Sequence, residues 1–189
     1  MDKHHGEKTN AGDSAACAIG KSSGLHEPLQ IGGVYHVRCF DRNGKLKWED
    51  EINNLVTTEG KDEALDQFLN GSGYTAAFYL GLISATGYGA GPAVGDTMAS
   101  HAGWTEEQNY DEAARLTPSW NASSAGSKAA NALSFSINAS VTAKGAFLTT
   151  NATKGGTTGI LYSAGLFTGG DKALVNGETL QVTYTASLT

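Results

Sequence analysis

Regular alternation of apolar and polar side chains predicts a β-hairpin ahead of the first helical pattern. Residues 34–40 alternate between two faces. One face carries Val34, His36, Arg38 and Phe40, and the other carries Tyr35, Val37 and Cys39. Asn43-Gly44 favours a tight turn because both residues tolerate a positive φ. Residues 45–52 then return as a second strand in near-alternation.

A short amphipathic helix is predicted directly after the hairpin. Residues 58–69 carry acidic side chains in the first turn and apolar side chains at helical spacing, and Asn70-Gly71 ends the pattern. We expect this helix to pack on a sheet through its apolar stripe. The stripe consists of Ala64, Leu65, Phe68 and Leu69.

The rest of the chain is dominated by strand patterns. Short apolar segments separated by glycine-bearing turns predict further strands at residues 76–83, 132–137, 144–149, 159–167 and 179–188. With the hairpin, this makes about seven strands and one helix, for which a two-layer antiparallel β-sandwich is the natural solution. The fold class is therefore mainly β.

Residues 1–33 differ in character from the sandwich predicted for residues 34–189. They contain few large apolar side chains and show no helical or strand period, so they are predicted to be an extended N-terminal arm. An arm that contributes little to its own core is expected to lie on neighbouring subunits. Its predicted interface residues are Leu25, Leu29 and Ile31.

Charge and cysteine content narrow the classes of function. The formal net charge is −6, and the 13 basic residues form no cluster, which argues against a nucleic-acid partner. We find no apolar run long enough to span a membrane and expect no signal peptide. Cys17 and Cys39 are expected to be free thiols, with a bridge between them as the alternative.

Chemically distinctive side chains concentrate in a glycine-rich loop region predicted for residues 84–118. The loop carries Asp96, Ser100, His101, Trp104, Glu106, Tyr110 and Arg115. A hydrolytic triad of Ser100, His101 and Asp96 lacks a nucleophile motif, and neighbours in sequence rarely converge on one atom. A metal trio of Asp96, His101 and Glu106 lacks the usual histidine spacing. We therefore predict no catalytic, metal or cofactor site. We expect Glu106-Glu107 and Asp111-Glu112 to form a solvated acidic face, with weak Ca²⁺ binding as the alternative.

The same side chains have a structural interpretation, in which they brace a long loop. Asp96 is expected to bond the loop backbone, and His101 to join two loop segments. Trp104 is expected to fill a gap while donating one N–H, and Arg115 to fork onto a carboxylate such as Glu106. Cross-ties of this kind hold an irregular loop in one conformation.

The sequence also resembles small structural proteins of tailed phages, over roughly residue 34 to the C-terminus. The resemblance rests on Tyr79-x-Gly81-Leu82, on residues 95–106 with Tyr110 and Arg115, and on three later strand motifs. Those motifs are Phe135-Ser136-Ile137, residues 145–148 and residues 177–182. Glu178 departs mildly from the family pattern, which favours Asp there.

Within that class the resemblance implies a capsid decoration or cement protein. It would be a non-enzymatic homo-oligomer, assembled in the host bacterial cytoplasm, that binds the major capsid protein on the exterior of the virion. A head or tail fibre subunit that binds host glycan is the alternative, and it predicts exposed aromatic side chains such as Tyr74, Tyr88 and Trp120 clustered at a tip. A small hydrolase is a further alternative, and it would require His101 to be indispensable.

Overall fold

The computed structural model describes residues 30–70 and 78–189, and these residues are mainly β, with two antiparallel sheets and one helix. The helix α1 spans Thr58–Asn70. The strands are β1 Ile31–Phe40, β2 Leu46–Asn53, β3 Leu55–Val56, β4 Tyr79–Ser84, β5 Thr105–Glu107, β6 Ser127–Ala129, β7 Leu133–Ser136, β8 Val141–Thr149, β9 Leu161–Leu166, β10 Lys172–Leu174 and β11 Thr179–Leu188. The mainly β sandwich with one helix, expected from the sequence, is confirmed.

The first sheet is built around β1 and β11, which pair over their whole length from Ile31↔Leu188 to Phe40↔Thr179. The strand order is β2-β1-β11, and the far edge of β11 pairs with β7 along its first half and with β6 near its end. Alternation along both central strands directs one face inward. That face carries Tyr35, Val37, Cys39, Leu180, Val182 and Tyr184, all buried.

The second sheet has the order β3-β9-β8-β4-β5, with β10 also paired to β8. Its central strand β8 is buried on both faces. Ala146 and Leu148 belong to the main core between the sheets, whereas Phe147 belongs to a second apolar cluster. That cluster, here called the outer core, contains Ile83, Met98, Trp104, Phe147, Leu161 and Ala164. Since neighbouring residues of a strand face opposite sides of a sheet, the loop between β4 and β5 covers the side away from the first sheet.

The strand number exceeds the expected seven, because eleven strands are present in the described residues. The four that the pattern missed, β3, β5, β6 and β10, have only two or three residues each. Segments this short show no measurable alternation, and their extended conformation comes from pairing with a longer neighbour. One of them, β5, lies inside the predicted loop region 84–118.

The sheet also begins earlier than the predicted domain boundary at residue 34. Ile31 pairs with Leu188, and the backbones of Gln30 and Thr189 bond each other in both directions, with N···O distances of 2.6 and 3.0 Å. Ile31 packs against the main core of its own chain, and its role as an anchor on a neighbouring subunit stays a prediction. Leu25 and Leu29 lie outside the described residues. The glycines Gly32 and Gly33 concealed this part of β1 because they carry no apolar signal.

The helix α1 is correctly predicted in position, but its packing differs from the expectation. Thr57 caps it by accepting the Gly60 N–H at 3.0 Å, and a Cβ at Gly60 would lie 2.2 Å from the Tyr162 carbonyl oxygen. The first turn therefore sits directly on β9. Further along, Leu65 and Leu69 are exposed by 45% and 73%, so these two members of the predicted stripe do not enter the core.

Candidate functional site, a braced loop on the second sheet

The loop between β4 and β5 is folded back on the sheet by backbone hydrogen bonds. The N–H groups of Gly89 and Ala90 both donate to the Gly103 carbonyl, at 2.9 and 2.8 Å. Ala85 donates to Thr142 at the start of β8, at 2.9 Å. These bonds bring the two arms of the loop together, so that its apolar side chains close over the outer core.

Trp104 is the centre of the first brace. Its ring is buried against Phe147, with 5.2 Å between ring centroids, and its indole N–H donates to Asp96 Oδ2 at 2.9 Å. The same carboxylate oxygen accepts the Ala93 N–H at 3.0 Å. His101 stacks on Trp104 with centroids 4.1 Å apart, and its Nδ1 lies 3.0 Å from the Trp104 carbonyl oxygen. We expected His101 to join two loop segments. Instead, it contacts Trp104, three positions away in the same segment.

Arg115 and Glu106 form the second brace, which is a buried ion pair. Arg115 donates through Nε and Nη2 to the two oxygens of Glu106, at 2.9 and 2.8 Å. Its guanidinium also donates to the carbonyls of Asn151 and Gly156, at 2.9 and 2.8 Å. The Gly155 N–H adds a bond to Glu106 at 2.6 Å. With side-chain exposures of 1% and 6%, this pair ties the loop region to the segment between β8 and β9.

Glu107 lies on the opposite face of β5 and has separate donors. Its Oε2 accepts the Ser84 hydroxyl at 2.8 Å, and its Oε1 accepts the Asn109 backbone and side-chain N–H groups, at 2.9 and 2.6 Å. The expected solvated acidic face is therefore wrong for Glu106 and Glu107. Strand alternation separates the two carboxylates and directs each one to a group of N–H or O–H donors.

The hydrolytic and metal hypotheses find no supporting geometry here. The Asp96 carboxylate receives the Trp104 indole, His101 meets a backbone carbonyl, and the Ser100 N–H bonds Thr97 Oγ1 at 3.0 Å. Across residues 30–70 and 78–189, no three His, Cys, Asp or Glu side chains converge as they would around a metal ion. In the same ranges, no helix is long and apolar enough to cross a membrane.

A buried polar cluster that the sequence did not indicate lies at the far end of β1. Glu178, just before β11, receives the Lys47 ammonium, the Val175 N–H at 3.0 Å and the Cys39 thiol at 3.7 Å. Cys39 is a free, buried thiol. Burial and then the nearby Glu178 carboxylate raise the pKa of Cys39 to about 12. Because the thiolate is the reactive form of cysteine, the raised pKa makes the Cys39 thiol a poor nucleophile near neutral pH. Cys17 lies outside the described residues.

Asp50 anchors another cluster, at the edge of the first sheet. Its carboxylate pairs with Lys172 Nζ at 2.8 Å and accepts hydrogen bonds from the Thr168 hydroxyl at 2.5 Å and the Gly169 N–H at 3.0 Å. Burial opposes ionisation of Asp50, but the bonds from Lys172, Thr168 and Gly169 outweigh it and lower the pKa to about 2. Local sequence patterns did not indicate this cluster or the Glu178 cluster, because both contain contacts between residues more than one hundred positions apart.

Of the aromatic side chains expected at an adhesive tip, the two that the structure describes, Tyr88 and Trp120, are not grouped together. Tyr88 is half-buried against the outer core, with Lys144 Nζ 4.1 Å from its ring centroid. Trp120 is half-buried against the main core and meets Tyr184 edge to face, with 6.1 Å between centroids. Tyr74 lies outside the described residues. The two that can be placed thus belong to different apolar clusters.

Compared with models of known protein families, the chain matches no family, and a search of curated proteins gives no match either.

Proposed function

We propose that the chain is a non-enzymatic structural protein of a tailed-phage virion, which binds the exterior of the capsid as a decoration or cement protein. Its partners are the major capsid protein and further copies of the chain itself. The segment before β1 extends onto neighbouring subunits and adds contact area. The virion is its site of action, and the host bacterial cytoplasm is its site of assembly.

The observation that carries this proposal is how the polar side chains of the loop are used. Each of the five predicted bracing residues makes a hydrogen bond inside the chain. Catalytic groups need polar atoms directed at a substrate. Here the carboxylates and the guanidinium are directed at one another and at backbone groups, which supports a role in holding shape.

The two apolar cores support the same proposal. Phe147 and its neighbours make the second sheet buried on both sides, and the loop region is fastened over it by Trp104 and by the Arg115–Glu106 pair. A protein that reinforces a shell must keep its contact surfaces fixed under load. A long loop fixed at several points meets that requirement. The resemblance to phage structural proteins is the reason for proposing that the shell is a phage capsid.

The amount of this chain in purified particles tests the proposal. We expect quantitative mass spectrometry to find copies in fixed proportion to the major capsid protein, and the purified chain to rebind particles that lack it. A handful of copies per particle would contradict a decoration role. A His101→Ala variant that still binds particles equally well but loses a hydrolytic activity would contradict the non-enzymatic class.

A further inference from the structure

An open apolar groove lies between α1 and the end of the first sheet. Two adjoining depressions of about 490 and 530 Å³ form it. They share the lining residues Ala64, Lys128, Tyr162 and Ala186. Volumes of several hundred Å³ with a mostly apolar lining are typical of sites that receive a ligand or a peptide segment.

The groove exposes leucine side chains to water. Leu65 of α1 and Leu188 of β11 both line it and are 45% and 48% exposed. Leu69, which follows Leu65 by one helical turn, is 73% exposed. Grouped apolar exposure of this kind, unlike scattered single residues, marks a surface that is covered by something.

The start of β1 lies at the same groove. Ile31 is one of its lining residues, and the backbone pairing of Gln30 with Thr189 fixes the direction from which the chain arrives. The residues immediately before Gln30 include Leu25 and Leu29, separated by four positions, with Glu27 between them. At about 3.4 Å per residue, a segment of five residues spans about 17 Å. Because Ile31 itself lines the groove, both leucines are within about 20 Å of chain from one of its lining residues.

We propose that the groove binds residues 25–29 of its own chain. Leu29 and Leu25 cover Leu65 and Leu188, and Glu27 lies near Lys128, a residue that lines both depressions. A segment joined directly to β1 is present at an effective concentration in the millimolar range, which favours it over the same segment of a second copy. The two leucines then act as anchors within the subunit, and residues 1–24 are the part free to contact neighbours.

Hydrogen exchange on the full-length chain in isolation tests this docking. We expect the amides of residues 25–27 and of Leu29 to exchange at least tenfold more slowly than those of residues 1–24, and Leu65→Asp to abolish the difference. Leu46→Asp is the matched control, because Leu46 is a similarly exposed leucine, at 39%, that does not line the groove. Leu29→Asp, placed before the first strand, tests the other side of the contact without altering the helix.

Two outcomes would overturn the proposal. Unprotected amides in the wild-type chain would mean that the segment does not dock at all. Protection that increases over about a hundredfold range of protein concentration would mean that the groove takes the segment of a second copy, since an intramolecular contact is independent of concentration. The docking requires no capsid, so hydrogen exchange can contradict the docking while the proposed function stands. The copy number in purified particles can likewise contradict the proposed function while the docking stands.

Discussion

Removal of the Arg115 guanidinium should show how much the buried brace contributes to stability. Arg115→Met keeps most of the side-chain volume but removes four hydrogen bonds, two of them to Glu106 and two to carbonyl oxygens. The Glu106 carboxylate, only 6% exposed, then keeps a single backbone donor from Gly155. Breaking a buried ion pair on one side costs about 3–5 kcal/mol. Since native domains are stable by about 5–15 kcal/mol, the loss is a large fraction of the total.

The assay is guanidinium unfolding followed by tryptophan fluorescence, because Trp104 lies in the outer core beside the brace. We expect Arg115→Met to lose about 3 kcal/mol, and the midpoint of thermal unfolding to fall by about 10 °C for a chain of this size. Arg38→Met is the matched control. Arg38 pairs with Glu49 at 4.0 Å, with both side chains more than half exposed, so its loss should cost less than about 1 kcal/mol.

A double variant separates the charge from the packing. Arg115→Met combined with Glu106→Leu removes the unpaired carboxylate and should regain about 1 kcal/mol or more relative to Arg115→Met alone. Recovery should stay incomplete, because the carbonyls of Asn151 and Gly156 still lack their donor. If Arg115→Met costs no more than Arg38→Met, or if the double variant is less stable than the single one, the brace is not a stabilising ion pair.

Two further predictions concern Asp50 and Gly81. Because the pKa of Asp50 is lowered to about 2, its contribution is complete above the ordinary carboxyl pKa of about 4 and is lost as pH falls towards 2. Asp50→Asn should therefore cost about 2 kcal/mol at neutral pH and progressively less in acid titrations of unfolding, whereas a constant difference would contradict this reasoning. A Cβ at Gly81 would lie 2.4 Å from the buried Phe147 ring, so Gly81→Ala should cost about 1–3 kcal/mol in chemical unfolding. Gly89→Ala, with open space around it, should change stability by less than about 0.5 kcal/mol, and equal losses at the two positions would contradict the close contact.

Local patterns in the sequence were sufficient to predict the long elements. In β11, alternation directs Leu180, Val182 and Tyr184 inward, and the positions that lie between them are only half-buried. The helix could be placed because its limits depend on nearby residues, such as the acidic side chains of its first turn and the Asn70-Gly71 pair at its end. Signals of this kind act over a few residues and can be read without knowledge of the fold.

The outer core and the buried polar clusters depend on register and could not be predicted in the same way. Strand alternation places Phe147 on the face opposite Ala146 and Leu148, but no local pattern indicates that Met98 and Trp104 cover it. Glu178 is 139 residues from the thiol that it contacts. Such pairs are fixed by which strands lie side by side, and many strand orders are compatible with one set of strands.

The loop region and the second sheet therefore depend on each other. With Phe147 in the middle strand, the sheet has an apolar outer face that needs a cover, and the glycine-rich loop has no regular hydrogen-bonding pattern to hold it there. Trp104 links the two requirements, since its ring fills the outer core while its N–H fixes the loop through Asp96. Gly81 lies where the loop region meets the second sheet. A Cβ added at Gly81 would approach both the Phe147 ring and Glu106 Oε1, the latter at 3.1 Å. The same residues thus build a core and restrain a surface, which is the combination that the proposed decoration role requires.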